Sequence, residues 1–162
     1  MYPWIVFLHV VGAFGFLLAH GASASVSFAL RRERNLERIR ALLNLSINSY
    51  NVMYVSLLVL LISGIVAGFM GRWWGAGWIW TALGLLIALI VAMSLVGTRY
   101  YAQVRKAAGL EYFEAMKTHA PIPPAAPEEM DRLLAASPAM LVAAMGAGGL
   151  IVIVWLMMFK PF

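Results

Sequence analysis

The chain contains no cysteine among its 162 residues. Because disulfide bonds and thiolate metal sites both need cysteine sulfur, this absence excludes both. Charge is scarce as well, since Asp, Glu, Lys and Arg make up 12% of the residues, against about a quarter in soluble domains. What the chain has instead is 63% hydrophobic residues and a mean hydropathy of +0.85. This composition predicts an integral membrane protein.

Four uninterrupted apolar runs are long enough to cross a bilayer, since about 20 helical residues span a hydrocarbon core of about 30 Å. The runs cover residues 4–30, 50–70, 78–98 and 139–159. We therefore predict an all-α integral membrane protein in which residues 1–162 form a single membrane domain. The predicted architecture is a four-helix transmembrane bundle, with residues 99–138 as a cytoplasmic segment.

Basic residues are unevenly distributed over the segments that connect the spans. Of the twelve Lys and Arg residues, only Arg72 and Lys160 lie outside the two segments that follow spans 1 and 3. Because cytoplasmic loops are rich in Lys and Arg, the N and C termini and loop 71–77 are predicted to face outward. The same outer edge holds all six tryptophans, as an aromatic belt does: Trp4, Trp73, Trp74, Trp78, Trp80 and Trp155.

The excess of basic over acidic residues, which gives a pI near 9.9, is explained by this topology. The lipid bilayer and its anionic head groups are the predicted partners of the basic residues, and nucleic acid is not.

Local signals predict where the helices begin and extend. Asn35 is a suitable N-cap for a helix over 36–70, which would be about 50 Å long and protrude from the membrane. Span 3 is predicted to continue to about Ala108. The spacing of apolar residues then favours a short amphipathic helix over 110–117, and Pro127 with the acidic residues after it predicts another.

The start of span 4 is predicted from a serine and a proline. Ser137 would be the N-cap, and Pro138 would be the first helical residue.

Two histidines lie inside the first apolar run. His9 and His20 are eleven residues apart, about three helical turns or 16 Å, so both imidazoles project from nearly the same face. Ionisable groups in hydrocarbon are costly, and their default interpretation is a functional site that faces the bundle interior. Gly12 and Phe16 lie on the same helical face as the two histidines. A small residue such as Gly12 would let a flat macrocycle approach the helix.

Methionines on other spans provide candidate second ligands. Counted from the membrane faces, His20 is level with Met53 on span 2 and Met93 on span 3. A His/Met pair suits the axial positions of haem b, and copper is the alternative metal for the same soft donors. Arg99, at the inner end of span 3, would pair a haem propionate or reach lipid phosphates. The competing interpretation is that the imidazoles only hydrogen-bond across helix interfaces.

A family resemblance can be stated on the segment Phe7–Ala13, with sequence FLHVVGA, and the arginine cluster that ends the span. These features resemble a group of four-span bacterial integral membrane proteins of unknown function and, more distantly, the copper-resistance D proteins and HemJ-type protoporphyrinogen oxidases. The resemblance implies a multi-pass protein of the bacterial inner (plasma) membrane with haem bound through His9. The HemJ pattern also has a lysine on a later span, which this chain lacks.

The sequence thus favours a membrane-embedded b-type haem-binding protein in electron transfer or redox chemistry, with His9 and His20 as candidate metal ligands. Two alternatives stay open. One is a non-catalytic accessory or scaffold subunit of a membrane complex, and the other is a small-solute or copper transporter. A homodimer or a larger membrane complex is the expected protein partner.

Overall fold

Four long apolar helices dominate the computed structural model, which describes residues 1–162 and confirms the predicted four-helix bundle. The elements in chain order are α1 (Tyr2–Leu30), α2 (Leu36–Gly71), α3 (Gly77–Ala107), β1 (Tyr112–Glu114), β2 (Lys117–His119), α4 (Pro127–Ala135) and α5 (Ala139–Phe159). A short 3₁₀ turn, Trp73–Gly75, joins α2 to α3. Each of α1, α2, α3 and α5 contains one predicted span, and α3 ends one residue before its predicted limit.

The start of α2 is confirmed as predicted. The side chain of Asn35 accepts a hydrogen bond from the backbone N–H of Arg38 at 3.1 Å, which satisfies one free donor of the first turn. The preceding carboxylate, Glu33, accepts backbone N–H groups of Asn35 and Arg34 at 3.0 and 2.9 Å. These hydrogen bonds lower the pKa of Glu33, with nearby Arg38 contributing less.

The predicted helix over 110–117 is wrong, because the chain forms a two-stranded antiparallel hairpin there. Tyr112 pairs with His119 in the ladder, and their rings stack at 5.1 Å. Gly109 adopts a φ of +71°, which ends the helical path after α3. Ala115 and Met116 both have positive φ, the geometry of a tight hairpin turn. The apolar spacing that suggested a helix carried no signal for this turn.

The prediction for the start of span 4 is also off by one residue. Pro138 occupies the N-cap position of α5, and Ser137 makes no capping hydrogen bond. Instead, the N–H of Ser137 donates to the carbonyl of Leu134 at 3.3 Å, so this serine belongs to the turn that ends α4. Helix α4 itself is confirmed, with Pro127 in its first turn.

The two ends of the bundle differ in chemistry. The basic end contains the turn between α1 and α2, the hairpin and α4, and it encloses a buried apolar core: Val26, Leu30, Ile39, Leu43, Val104, Ala107, Ala108, Met130 and Leu134. The tryptophan end contains the Trp73–Gly75 turn and both termini. There the N–H of Trp78 donates to the carbonyl of Phe162 at 3.2 Å, and Lys160 lies 4.2 Å from the Trp73 ring centroid. The termini and loop 71–77 therefore share one end, as the charge pattern predicts.

The four long helices form a ring that is open on one side. Helix α1 packs along α2, α3 packs along α5, and α5 also contacts α1, whereas α2 and α3 scarcely touch. The gap between α2 and α3 opens into the interior of the bundle, and the candidate site lies there.

Candidate functional site

A cavity of about 430 Å³ occupies the gap between α2 and α3, with α1 behind it. We call it the cleft. Its deeper part is mostly apolar, with these lining residues: Phe16, Met53, Leu57, Ile90 and Met93. Toward the basic end the lining becomes more polar and contains one basic and one acidic residue, with these residues: Ser27, Tyr50, Ser94, Thr98, Tyr101, Arg105 and Glu111. A ligand that fits this cleft has an apolar body and a polar end.

His20 lies in the wall of the cleft and is 7% exposed. Its Nε2 atom is buried without a hydrogen-bond partner. Nε2 is the ring atom that lies nearest to Gly146 of α5, where any Cβ atom would overlap the imidazole. The glycine therefore makes the room that the imidazole needs between α1 and α5.

Met53 and Met93 line the same cleft from α2 and α3, on either side of the gap. One imidazole and two thioethers that the sequence placed at one depth thus line the same cavity. Phe16, one helical turn before His20, also lines the cleft. No group of three or more His, Cys, Asp or Glu side chains converges in the structure.

His9 has a different environment, although its spacing from His20 places both on one helical face. Its Nδ1 lies 2.8 Å from the carbonyl oxygen of Leu60 on α2. Because a carbonyl only accepts, Nδ1 carries the proton and donates it. The ring packs over Gly64, where a Cβ atom would lie 2.9 Å from the imidazole. His9 does not line the cleft and links α1 to α2 instead.

We expect the substitution His9→Leu to lower the free energy of unfolding by about 1 kcal/mol, because it removes the hydrogen bond to Leu60. Equilibrium unfolding of the protein in detergent micelles measures the change. The variant Val10→Leu, at an exposed neighbouring position, is the control and is expected to match the unmodified protein. Equal stability of the two variants would show that the hydrogen bond contributes nothing.

Gly12, which the sequence offered as a cofactor contact, does not line the cleft and packs against α2 instead. A Cβ atom on Gly12 would lie 2.8 Å from the backbone nitrogen of Leu60. The residue therefore allows close contact between the backbones of α1 and α2, as small residues do at membrane helix interfaces.

Arg99, which the sequence offered as a partner for a haem propionate, does not line the cleft, whereas Arg105 does. Residues of α3 that line the cleft recur every three or four positions, at Ile90, Ser94, Gly97, Tyr101 and Arg105. Arg99 lies two residues after Gly97, about 200° around the helix, and so projects from the opposite face. Met93 alone does not distinguish the two arginines, since Arg99 and Arg105 each lie about 120° from it around the helix.

Comparison with known proteins identifies a family but no characterised relative. No curated protein and no solved structure matches the chain. A family model described as "Predicted integral membrane protein (DUF2269)" matches residues 3–161, which include all four long helices and every residue of the cleft. The chain therefore belongs to the DUF2269 family of predicted integral membrane proteins.

Proposed function

We propose that this protein binds haem b in the cleft and serves electron transfer or redox chemistry, with His20 as the imidazole ligand. The observation that carries the proposal is the buried Nε2 of His20, which has no partner in the wall of a cavity that also contains two thioether sulfurs. Leaving such an atom unpaired costs about 1–3 kcal/mol. Because Nε2 lies against Gly146 of α5, the imidazole would turn toward the cleft to form a bond to a ligand, and that bond would remove the cost.

The size and chemistry of the cleft support a bound cofactor. Its volume of about 430 Å³ lies within the range of about 300–1,000 Å³ typical of cofactor sites. Apolar side chains such as Phe16 and Ile90 suit the face of a porphyrin, while Arg105 provides a positive charge at the polar end. Imidazole with thioether is an established pair of axial haem ligands.

Bound haem supplies one-electron chemistry, and the chain's own residues set its conditions. His20 and either Met53 or Met93 would hold the haem iron, and a thioether ligand would favour a higher reduction potential. The apolar walls exclude water and keep the local dielectric low. Gly146 keeps the imidazole within the wall of the cleft by leaving it space.

The resemblance of Phe7–Ala13 to copper-resistance D and HemJ-type proteins supports haem as the cofactor. That resemblance points to His9, but the hydrogen bond from His9 to Leu60 leads us to propose His20 as the ligand. We further propose that the protein resides in a bacterial inner membrane with its basic end in the cytoplasm. A second copy or a larger membrane complex would exchange electrons with it.

Haem titration of the purified protein in detergent tests the proposal. We expect a Soret band from the unmodified protein, loss of that band in His20→Ala, and retention of it in His9→Ala. After unbound haem is removed by gel filtration, added free imidazole is expected to restore protein-bound haem in His20→Ala, which a merely structural role of His20 would not produce. Absence of a Soret band from the unmodified protein would reject haem binding.

Two alternatives are favoured by specific contacts. Copper suits the same imidazole and thioether donors. It would bind the unmodified protein without producing a Soret band, and this binding would be lost in His20→Ala. The hydrogen bond of His9 favours a non-catalytic accessory subunit in which histidines only join helices. That alternative predicts no binding of haem or copper and tolerance of His20→Leu. A small-solute transporter gains no support from a specific contact.

A further inference from the structure

The basic end of the cleft contains Arg105, which forms no direct ion pair, together with the acidic side chain of Glu111, whose charge acts on it from a longer distance. Arg105 is half-buried, and its Nε donates to the carbonyl oxygen of Glu111 at 2.7 Å. Its Nη1 donates to the side-chain oxygen of Asn44 at 3.2 Å. None of the four ion pairs in the structure includes Arg105. Two neutral acceptors thus fix the guanidinium, and the charge of Glu111 offsets part of its charge without a direct contact.

This fixed charge lies at one end of an amphipathic cavity. Tyr101, one turn before Arg105 on α3, is hydrogen-bonded to Ser27 of α1, and both line the cleft. Beyond them the walls become apolar, toward Leu57 and Ile90. A guanidinium recognises carboxylate and phosphate oxygens with charge-assisted hydrogen bonds. The order of groups along the cleft therefore matches a ligand with an acidic head and an apolar body.

The open side of the cleft indicates how such a ligand arrives. Both α2 and α3 line the cavity, yet they scarcely contact each other. In contrast, α1 and α2 are held together at Gly12 and His9, and α1 and α5 are held together at Gly146. Since the outer surfaces of α2 and α3 face lipid, the gap between them leads into the bilayer.

We propose that the cleft binds the acidic head group of a membrane-soluble amphiphile at Arg105, and that the ligand enters between α2 and α3. The proposal concerns the same cleft as the haem proposal and names the chemistry of the ligand's polar end. Haem meets this requirement through its two propionates. A fatty-acid carboxylate or a lipid phosphate presents the same acidic chemistry, so the experiment separates these sources.

Binding of a fluorescent fatty acid tests the proposal without haem. The full chain is purified in an uncharged detergent at pH 8 and titrated with cis-parinaric acid and, separately, with its uncharged methyl ester. We expect the acid to bind about tenfold more tightly than the ester, as one charge-assisted hydrogen bond allows. Arg105→Gln is expected to abolish this preference, while Arg105→Lys retains part of it.

Arg99→Gln is the matched control, since it removes the same charge from the opposite face of the same helix. It is expected to keep the tenfold preference. Unchanged binding of the methyl ester by Arg105→Gln would show that the cleft is still folded. Equal binding of acid and ester by the unmodified protein would overturn the proposal, and so would identical behaviour of Arg105→Gln and Arg99→Gln.

Two further arms identify the source of the acidic group and separate this proposal from the haem proposal. Competition by phosphatidylglycerol but not by phosphatidylcholine, whose phosphate charge is offset by choline, would assign the subsite to an anionic phospholipid in place of a carboxylate, and would overturn the haem assignment of Arg105. Binding of haem and of haem dimethyl ester with equal affinity would overturn the role of Arg105 while retaining haem. Tighter binding of parinaric acid than of its methyl ester, without any Soret band, would retain the role of Arg105 and overturn haem binding.

Discussion

Replacing Gly12 with valine is expected to lower the free energy of unfolding by about 3 kcal/mol, at the upper end of the cost of overpacking. A Cβ atom at this position would lie 2.8 Å from the backbone nitrogen of Leu60 and 3.0 Å from its Cα atom. Backbone atoms cannot turn aside as a flexible side chain can. The two helices would therefore have to separate along the interface that also contains the hydrogen bond of His9 to Leu60.

Gly21→Val is the matched control for this substitution. Gly21 lies on the same helix, and a Cβ atom there would meet nothing within 4 Å. Equilibrium unfolding in micelles, followed by circular dichroism, is expected to show little change for Gly21→Val and a large loss for Gly12→Val. If the two variants lost equal stability, the cost would come from valine in the helix and not from the α1–α2 interface.

Gly146→Ala is expected to have the second-largest effect, a loss of about 2 kcal/mol in the free energy of unfolding. The added methyl group would overlap the ring of His20, so the imidazole would have to leave its place between α1 and α5. Because His20 is the proposed haem ligand, the same substitution is expected to weaken haem binding. Unfolding in micelles and the Soret titration measure the two effects separately.

The control for Gly146→Ala is Gly148→Ala, two residues further along α5, where a Cβ atom would meet nothing within 4 Å. A double substitution adds a sharper test. In a His20→Ala background the ring is absent, so Gly146→Ala is expected to cost little further stability. Additive losses in the double variant would show that the imidazole and the glycine do not interact.

The helical architecture could be predicted from the sequence because a bilayer leaves the backbone few choices. Without water in the hydrocarbon, each backbone N–H and C=O must be paired within the segment, so a long apolar run forms a helix. The N-cap at Asn35 and the length of α2 followed from local rules that act within a few residues. The hairpin at Tyr112–His119 was missed because it depends on two consecutive positive φ values at Ala115 and Met116, which those residue types do not signal.

The candidate site was predictable only in part. Depth counting selected His20, Met53 and Met93, and all three line the cleft. It also selected His9, because eleven residues return a helix to nearly the same face. Helical face alone does not say which neighbour a residue meets at each depth. Here α2 meets α1 at His9, whereas α5 meets it at His20.

The sequence by itself determined the class of the protein, the number and positions of its spans, and the separation of a basic end from a tryptophan end. These properties depend on composition and on periodicity within single helices. Only the tertiary structure decided that α2 and α3 stand apart, that Arg105 and not Arg99 faces the resulting cleft, and that the two histidines have different environments. The physical reason is that helix association in a membrane depends on close packing at particular small residues, such as Gly12 and Gly146, and no local pattern specifies which helix will pack there.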